Sequence, residues 1–437
     1  MWLLPGLSRL ASFAVRTFYR LEVSGGRVPR RGPVLLVANH PNSLMDPAVV
    51  AAVAGRPVRF LAKAPLFRDP LLGWLVRGSG SIPVYRRQDD AAQLARNDET
   101  FRAVHRALAE GSAVGIFPEG TSHSEPSLVP IRTGAARMAL GGAALAEGAF
   151  PIVPVGLVFR EKAVFRSDAL AVVGEPVAWE DLAESGEADA AAVRALTARI
   201  DEALHAVTVN LDRWEDAPLV ETAEAVFAAE LPHDPSPAAR VARVREATSG
   251  LARMRRERPG EWEPLAREVR AHARTLRLLG MTPAQLRADV GLAEAGRWTL
   301  RQLGVLRLLL PVAALGVVLF YLPYRLTGFL EARAKPLPDT RATYKALMGG
   351  VLHIGWIVLL SLAAGWICGW RWGVAALVLL PAIALLTLVV IDLWLRAAGE
   401  ARRFLLRRAR GDALREVRGR QRALAERLRE VWETVRR

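Results

Sequence analysis

Two unbroken apolar runs near the C-terminal end constrain this 437-residue chain more than any other feature. Ala346–Trp370 holds 25 residues, and Trp372–Ile391 holds 20 before Asp392, with no Asp, Glu, Lys or Arg in either. Each is long enough to span a hydrocarbon layer of about 30 Å. A buried core helix has no use for two such runs in succession, so this region is expected to enter a membrane. Between them Gly369-Trp370-Arg371-Trp372-Gly373 carries one charge, and its tryptophans suit the interfacial belt. A third run, Leu308–Tyr324, has 17 residues, about 25 Å as a helix, and contains Pro311 and Pro323. It is expected to dip into the membrane and return rather than cross. Five basic residues in 325–345 and 14 arginines in 396–437 flank the two long runs. The excess of positive charge on both flanks places them in the cytoplasm, with the turn at Arg371 outside.

The net charge of +15 rests on arginine, since only Lys63, Lys162, Lys335 and Lys345 are lysines. A basic chain can serve nucleic acid, anionic lipid or phosphorylated substrates. Arginines concentrated directly after the apolar runs point to a membrane surface and away from nucleic acid. Three apolar runs cannot build the repeat architecture of a transporter. The single cysteine, Cys368, excludes an internal disulfide and a cysteine metal cluster, and no metal is expected. At the other end, Trp2, Leu3, Leu7, Leu10, Phe13, Val15, Phe18 and Tyr19 fit an amphipathic helix over residues 1–25. It could lie in the membrane interface or pack on the core.

From residue 26 to about 180, short β-prone runs alternate with helical stretches. The strand candidates are 33–38, 58–62, 80–85, 113–117, 152–159 and 169–173, with helices over 91–109 and 134–147 between them. Such alternation implies βαβ units: an α/β domain with a mostly parallel sheet flanked by helices. Residues 181–300 lose the β signal and read as a helical extension without a chemical motif. The membrane region covers 301–398, with a re-entrant segment at 308–324 and spans at 346–370 and 372–395. Over 399–437 a basic amphipathic helix is expected. Its Leu414, Val417, Gln421, Leu424, Leu428, Val431 and Val435 recur at spacings of three and four. That seam could make a homodimer, lie on anionic lipid, or pack on the chain's own domain.

The chemistry is carried by two strand ends. Pro33–Ala38 runs into Asn39-His40-Pro41-Asn42-Ser43-Leu44-Met45-Asp46, and Ala113–Ile116 runs into Phe117-Pro118-Glu119-Gly120-Thr121-Ser122-His123. Ligand crevices of open α/β sheets form at such strand mouths. A histidine six residues before an aspartate is weak by itself. Here the histidine leaves a strand and Asp46-Pro47 opens a helix, so one turn can bring the carboxylate to a ring nitrogen. That fixes the tautomer and leaves the other nitrogen as a base. Without a serine nucleophile nearby, such a base would activate an external hydroxyl, with assistance worth about 10²–10⁴-fold. Gly120-Thr-Ser122-His-Ser124 is not a nucleophile elbow, because the glycine after the serine is missing.

In these residues the chain resembles the glycerolipid acyltransferase superfamily of lysophosphatidic acid and glycerol-3-phosphate acyltransferases. Four blocks stand in that family's order: Asn39-His40…Asp46, Gly80-Ser-Ile-Pro-Val-Tyr-Arg86-Arg87, Phe117-Pro-Glu119-Gly120-Thr121 and Ile152-Val-Pro154-Val-Gly156. The resemblance implies His40 as the base that deprotonates the acceptor hydroxyl and Asp46 as its orienting carboxylate. It implies that Arg86 with Glu119, Gly120 and Thr121 binds the acceptor's glycerol phosphate, with Asn42 and Arg132 assisting. It implies acyl-CoA or acyl-carrier protein as co-substrate, no cofactor, and a catalytic domain facing the cytoplasm. The family usually has four residues between the histidine and the aspartate; this chain has five. Phe117–His123 with Leu128–Gly134 resembles the fungal-type glycerol-3-phosphate and dihydroxyacetone-phosphate enzymes. The competing expectation is a non-catalytic lipid-binding protein with a degenerate acyltransferase domain.

Overall fold

The structure, a computed structural model, describes residues 4–69, 73–85, 97–287, 292–409 and 411–436. The chain divides into two units. The first holds residues 1–214, 234–248 and 337–343; the second holds the remainder.

Seven strands form the sheet of the first unit: β1 (Arg20–Gly25), β2 (Val34–Ala38), β3 (Val58–Lys63), β4 (Ile82–Val84), β5 (Ala113–Ile116), β6 (Ile152–Phe159) and β7 (Asp168–Val173). Their order is β1-β7-β6-β2-β5-β3-β4, parallel throughout except for the antiparallel β6–β7 pair. All five residues of β2 are buried, as are the four of β5, which is why both read as unbroken apolar runs. The helices on this sheet are α1 (Leu4–Phe18), α2 (Met45–Ala54), α3 (Gly73–Gly78), α4 (Asn97–Ala109), α5 (Gly134–Leu145) and α6 (Ala190–Val207). Leu108 and Leu140 of the helices, Ile152 of the sheet and Trp179 of the loop after β7 share one core, each at most 1% exposed.

Two expected boundaries move. Leu196, Ile200 and Leu204 of α6 belong to the core of the α/β domain, so this domain runs past residue 180. Near the N-terminus, Arg20–Gly25 is a strand rather than the end of a helix. It is a polar, partly exposed edge strand, with too little apolar content to be marked in the sequence. The helix before it is amphipathic: Val15 and Phe18 are buried, whereas Leu10 and Phe13 are exposed.

The second unit contains α7 (Ala217–Glu230), α9 (Pro259–Leu279) and α10 (Pro283–Arg287), and takes the C-terminal part of α8 (Pro237–Glu257). After these come α11 (Leu292–Ala334), α12 (Arg341–Cys368), α13 (Trp370–Ala409) and α14 (Gly411–Arg436). Three stretches are long and apolar enough to cross a membrane: Leu309–Ala334, Arg341–Cys368 and Trp370–Gly399, of 26, 28 and 30 residues. The length argument for a re-entrant 308–324 therefore fails, since that run is part of a longer helix that continues through Pro311 and Pro323. The C-terminal seam is occupied by the chain itself. Leu424, Ala425 and Leu428 share a core with Leu219, Val226, Trp262 and Val269, and Gln421 bonds His272 at 3.1 Å and Glu230 at 2.6 Å. The same residues are then not available for the expected homodimer.

Candidate active site

Neighbouring parallel strands bring their C-terminal ends together, and β2 lies beside β5 with Val37 opposite Ile116. His40 therefore emerges next to Phe117, and the two rings stack with centroids 4.1 Å apart. Asn39 fastens this exit to β6: its side chain exchanges hydrogen bonds with the Leu157 backbone at 2.7 and 3.0 Å. The chain turns through Ser43, which sits in the left-handed region at φ 50°, and enters α2 with Asp46 in its first turn. Left-handed backbone at a non-glycine residue costs about 1–3 kcal/mol and is retained when its surroundings over-determine it. The extra residue between His40 and Asp46 is absorbed in this turn.

The expected pair is assembled. His40 Nδ1 lies 2.8 Å from Asp46 Oδ2, and the Asn42 backbone N–H donates to the same oxygen at 2.6 Å. The Asp46 side chain is fully buried, while that of His40 is 19% exposed. Burial pushes the Asp46 carboxyl above its usual range; the His40 bond, the Asn42 N–H and the charge of Lys162 act against that push. Asp46 thus holds Nδ1–H and fixes the ring, so the lone pair at Nε2 is the available base.

Two residues expected at the substrate face inward instead. Glu119 is 2% exposed: one carboxylate oxygen accepts the His40 backbone N–H at 2.6 Å. The other accepts the Val129 N–H at 3.2 Å and pairs with His123 Nε2. Its oxygens are consumed in tying the Phe117–His123 loop to the His40 loop, a tie completed by His123 N–H donating to the His40 carbonyl at 3.1 Å. Asn42 is fully buried, and its amide donates to the Tyr19 hydroxyl at 2.8 Å. Tyr19 in turn donates to the Lys162 carbonyl. Burial raises the Tyr19 pKa above its ordinary value, so its proton stays in place.

Gly120 occupies φ +76°, where a side chain would be strained, and an added Cβ would lie 2.9 Å from Arg132 Nε. The exposed Arg132 therefore lies over this glycine, and half-buried Thr121 follows it. Arg86 and Arg87 lie outside the described residues. A cation the sequence did not single out is present: Lys162, whose amine is 3.5 Å from Ser124 Oγ and 5.6 Å from the Trp214 ring centre. Burial lowers its pKa, while the carboxylates of Asp46, Asp339 and Glu119 raise it. Asp339, from the 337–343 segment of the same unit, accepts from Ser122 Oγ at 2.6 Å. Among the described residues no cluster of metal-binding side chains is found.

Residues 20–158 match the Acyltransferase family. Glycerol-3-phosphate O-acyltransferase 2 of Saccharomyces cerevisiae is 35% identical over 139 residues, 31% of this chain and 19% of that protein. A lyso-ornithine lipid O-acyltransferase of Rhizobium meliloti is 38% identical over 133 residues, 30% of this chain and 40% of that one. The chain thus spans less than half the length of either relative. The crystal structure of the 1-acyl-sn-glycerophosphate acyltransferase PlsC from Thermotoga maritima aligns with a TM-score of 0.35 and 19% identity. That alignment covers 46% of this chain and 77% of that one.

Proposed function

Because residues 20–158 are an Acyltransferase-family domain, we propose that the chain is a membrane-bound O-acyltransferase of glycerolipid synthesis. It transfers a fatty acyl group from acyl-CoA or acyl-carrier protein to a hydroxyl of glycerol 3-phosphate or a lysophospholipid. The observation that carries this reading is the His40–Asp46 pair, 2.8 Å apart at a strand mouth. Nε2 of His40 takes the acceptor's hydroxyl proton as its oxygen attacks the thioester carbonyl. The tetrahedral adduct collapses, the thiolate leaves, and the imidazolium returns the proton to it. A thioester is already activated, so neither a metal nor a covalent enzyme intermediate is needed. Arg132, over Gly120, and Lys162, beside Ser124, supply cations for the acceptor's phosphate, together with Arg86. The catalytic domain faces the cytoplasm, where both acyl thioesters and glycerol phosphates are made.

The test is purified full-length protein given labelled palmitoyl-CoA and a panel of acceptors. The panel is glycerol 3-phosphate, dihydroxyacetone phosphate, 1-acylglycerol 3-phosphate and lyso-ornithine lipid, with the products identified. His40→Ala should lower turnover by about 10²-fold or more with the protein still folded and membrane-bound. Turnover above a tenth of wild type in that variant would remove His40 as the base.

A further inference from the structure

Within the second unit, the helices before the three apolar ones and the helix after them share a core. Leu219, Val226, Trp262 and Val269 of α7 and α9 are buried with Leu424 and Leu428 of α14. Leu414 is buried with Leu276 and Leu286, and Arg418 Nε donates to the Leu286 carbonyl at 3.1 Å. A water-facing core of this kind cannot be divided by a bilayer. An even number of crossings must therefore separate α10 from α14, although three helices are long enough to cross.

The packing of the apolar helices identifies the odd one. Helices α12 and α13 meet at Gly369, which is in the left-handed region at φ +99°, and the Gly365 and Gly373 backbones touch. The turn joins two helices that are each long enough to cross, so the chain can cross and return through this hairpin. Among the described residues, the close contacts of α11 fall on the lower part of that hairpin, away from its turn. Its C-terminal end meets the start of α12, with Glu331 3.8 Å from Lys345 and Thr327 against Gly349. Its middle meets Trp356, whose indole donates to the Leu319 carbonyl at 2.8 Å, and Ile383 and Thr387, which face Gly316. Its earlier part meets the end of α13, where Ala313 is buried with Val390 beside Leu309, Leu393 and Ala397. Trp356 and Ile383 stand 13 and 14 residues from Gly369, so α11 stays about 20–21 Å of helix short of the turn. Both ends of the apolar stretch of α11, at Leu309 and Glu331, thus lie away from the turn.

We propose that only α12 and α13 cross the bilayer, and that α11 is seated in one leaflet against its acyl chains. The leaflet is the cytoplasmic one, a detail that rests on the function proposed above. The surface of α11 suits that partner. Leu315, Val318, Leu322 and Phe329 are 50–75% exposed and recur at helical spacing on one face. Tyr321 and Tyr324, each 58% exposed, carry hydroxyls suited to the interface, and Arg325, Arg333 and Lys335 sit where lipid phosphates would be. A crossing helix would instead have to carry Arg333 and the α14 core to opposite sides.

Single cysteines in the full-length protein test this. The native Cys368, at the α12–α13 turn and exposed, reports the turn; Arg333→Cys and Glu433→Cys, each with Cys368→Ala, report the two flanks. A membrane-impermeant maleimide is applied to intact host cells and again after permeabilisation, which also shows that each variant is inserted and reactive. Cys368 should label on intact cells, and the other two only after permeabilisation. Arg333→Cys and Glu433→Cys reacting from opposite sides would overturn the proposal, as would Cys368 reacting from their side. A full inversion, with both flanks labelled from outside and Cys368 protected, would leave α11 in one leaflet and overturn the cytoplasmic reading instead.

Discussion

Glu119→Gln separates a residue that binds substrate from one that holds the base in place. The side chain keeps its shape but exchanges one acceptor oxygen for an NH2 group. In the structure both oxygens receive donors: the His40 N–H on one, the Val129 N–H and His123 on the other. Whichever way the amide is turned, an N–H must face another N–H. At 2% exposure water cannot relieve that, so one buried donor is left unmade at a cost of about 1–3 kcal/mol. In a unit of this size each kcal/mol lowers Tm by about 2–4 °C. If the cost falls on the His40 N–H, the imidazole shifts against the acceptor, and at tenfold per 1.4 kcal/mol kcat drops about 5- to 140-fold. The acceptor KM should stay within about twofold, because the carboxylate is turned away from the substrate side. Steady-state kinetics with the acceptor varied at saturating palmitoyl-CoA, alongside thermal melts, checks both. A rise of more than tenfold in acceptor KM with kcat intact would mean that Glu119 touches the acceptor and would refute the inward reading.

The remaining expectations concern the cation and the buried relay. Lys162→Gln should raise the acceptor KM about tenfold while the palmitoyl-CoA KM stays put, since a charge-assisted contact is worth about 1.5–3 kcal/mol; a matched rise in both constants would point to a structural lysine. Tyr19→Phe leaves the Asn42 amide and the Lys162 carbonyl without their shared partner, both in a buried network. It should cost about 1–3 kcal/mol in a chemical melt and lower kcat more than either KM, because Asn42 also donates to Asp46.

The architecture was largely legible because the β runs of this domain are buried on both faces. Val34–Ala38 and Ala113–Ile116 sit at the centre of a parallel sheet, so no polar residue interrupts them and their ends are sharp. Arg20–Gly25 escaped for the opposite reason: an edge strand is half solvated, and its Glu22 and Ser24 look like loop. The boundary at residue 180 failed because α6 follows a loop and is rich in alanine, and nothing in its composition tells whether its Leu196 stripe meets the sheet or another helix. Pro311 and Pro323 would limit a continuous helix, yet α11 runs through both; a proline removes one donor and strains one turn, which tertiary packing against α13 can outweigh.

The site was legible only as far as its contacts are local. His40 and Asp46 are six residues apart, and the turn between them is enough to predict the bond. The residues that steady them are joined across 23, 143 and 217 positions: Asn42 to Tyr19, Tyr19 to Lys162, Ser122 to Asp339. No periodicity or motif reports such pairs, because they depend on how β1, β6 and the 337–343 segment are laid beside β2. Glu119 shows the limit most sharply. Its place after a strand and before Gly120 marks the loop as a ligand loop, but the sign of its contribution turns on direction. Aimed outward, its charge would repel a phosphate; aimed inward, it accepts the His40 N–H and holds that residue from the backbone side. Residue type and spacing are identical in the two cases, so the assignment requires the second N–H, from Val129 ten positions on, that holds the carboxylate in.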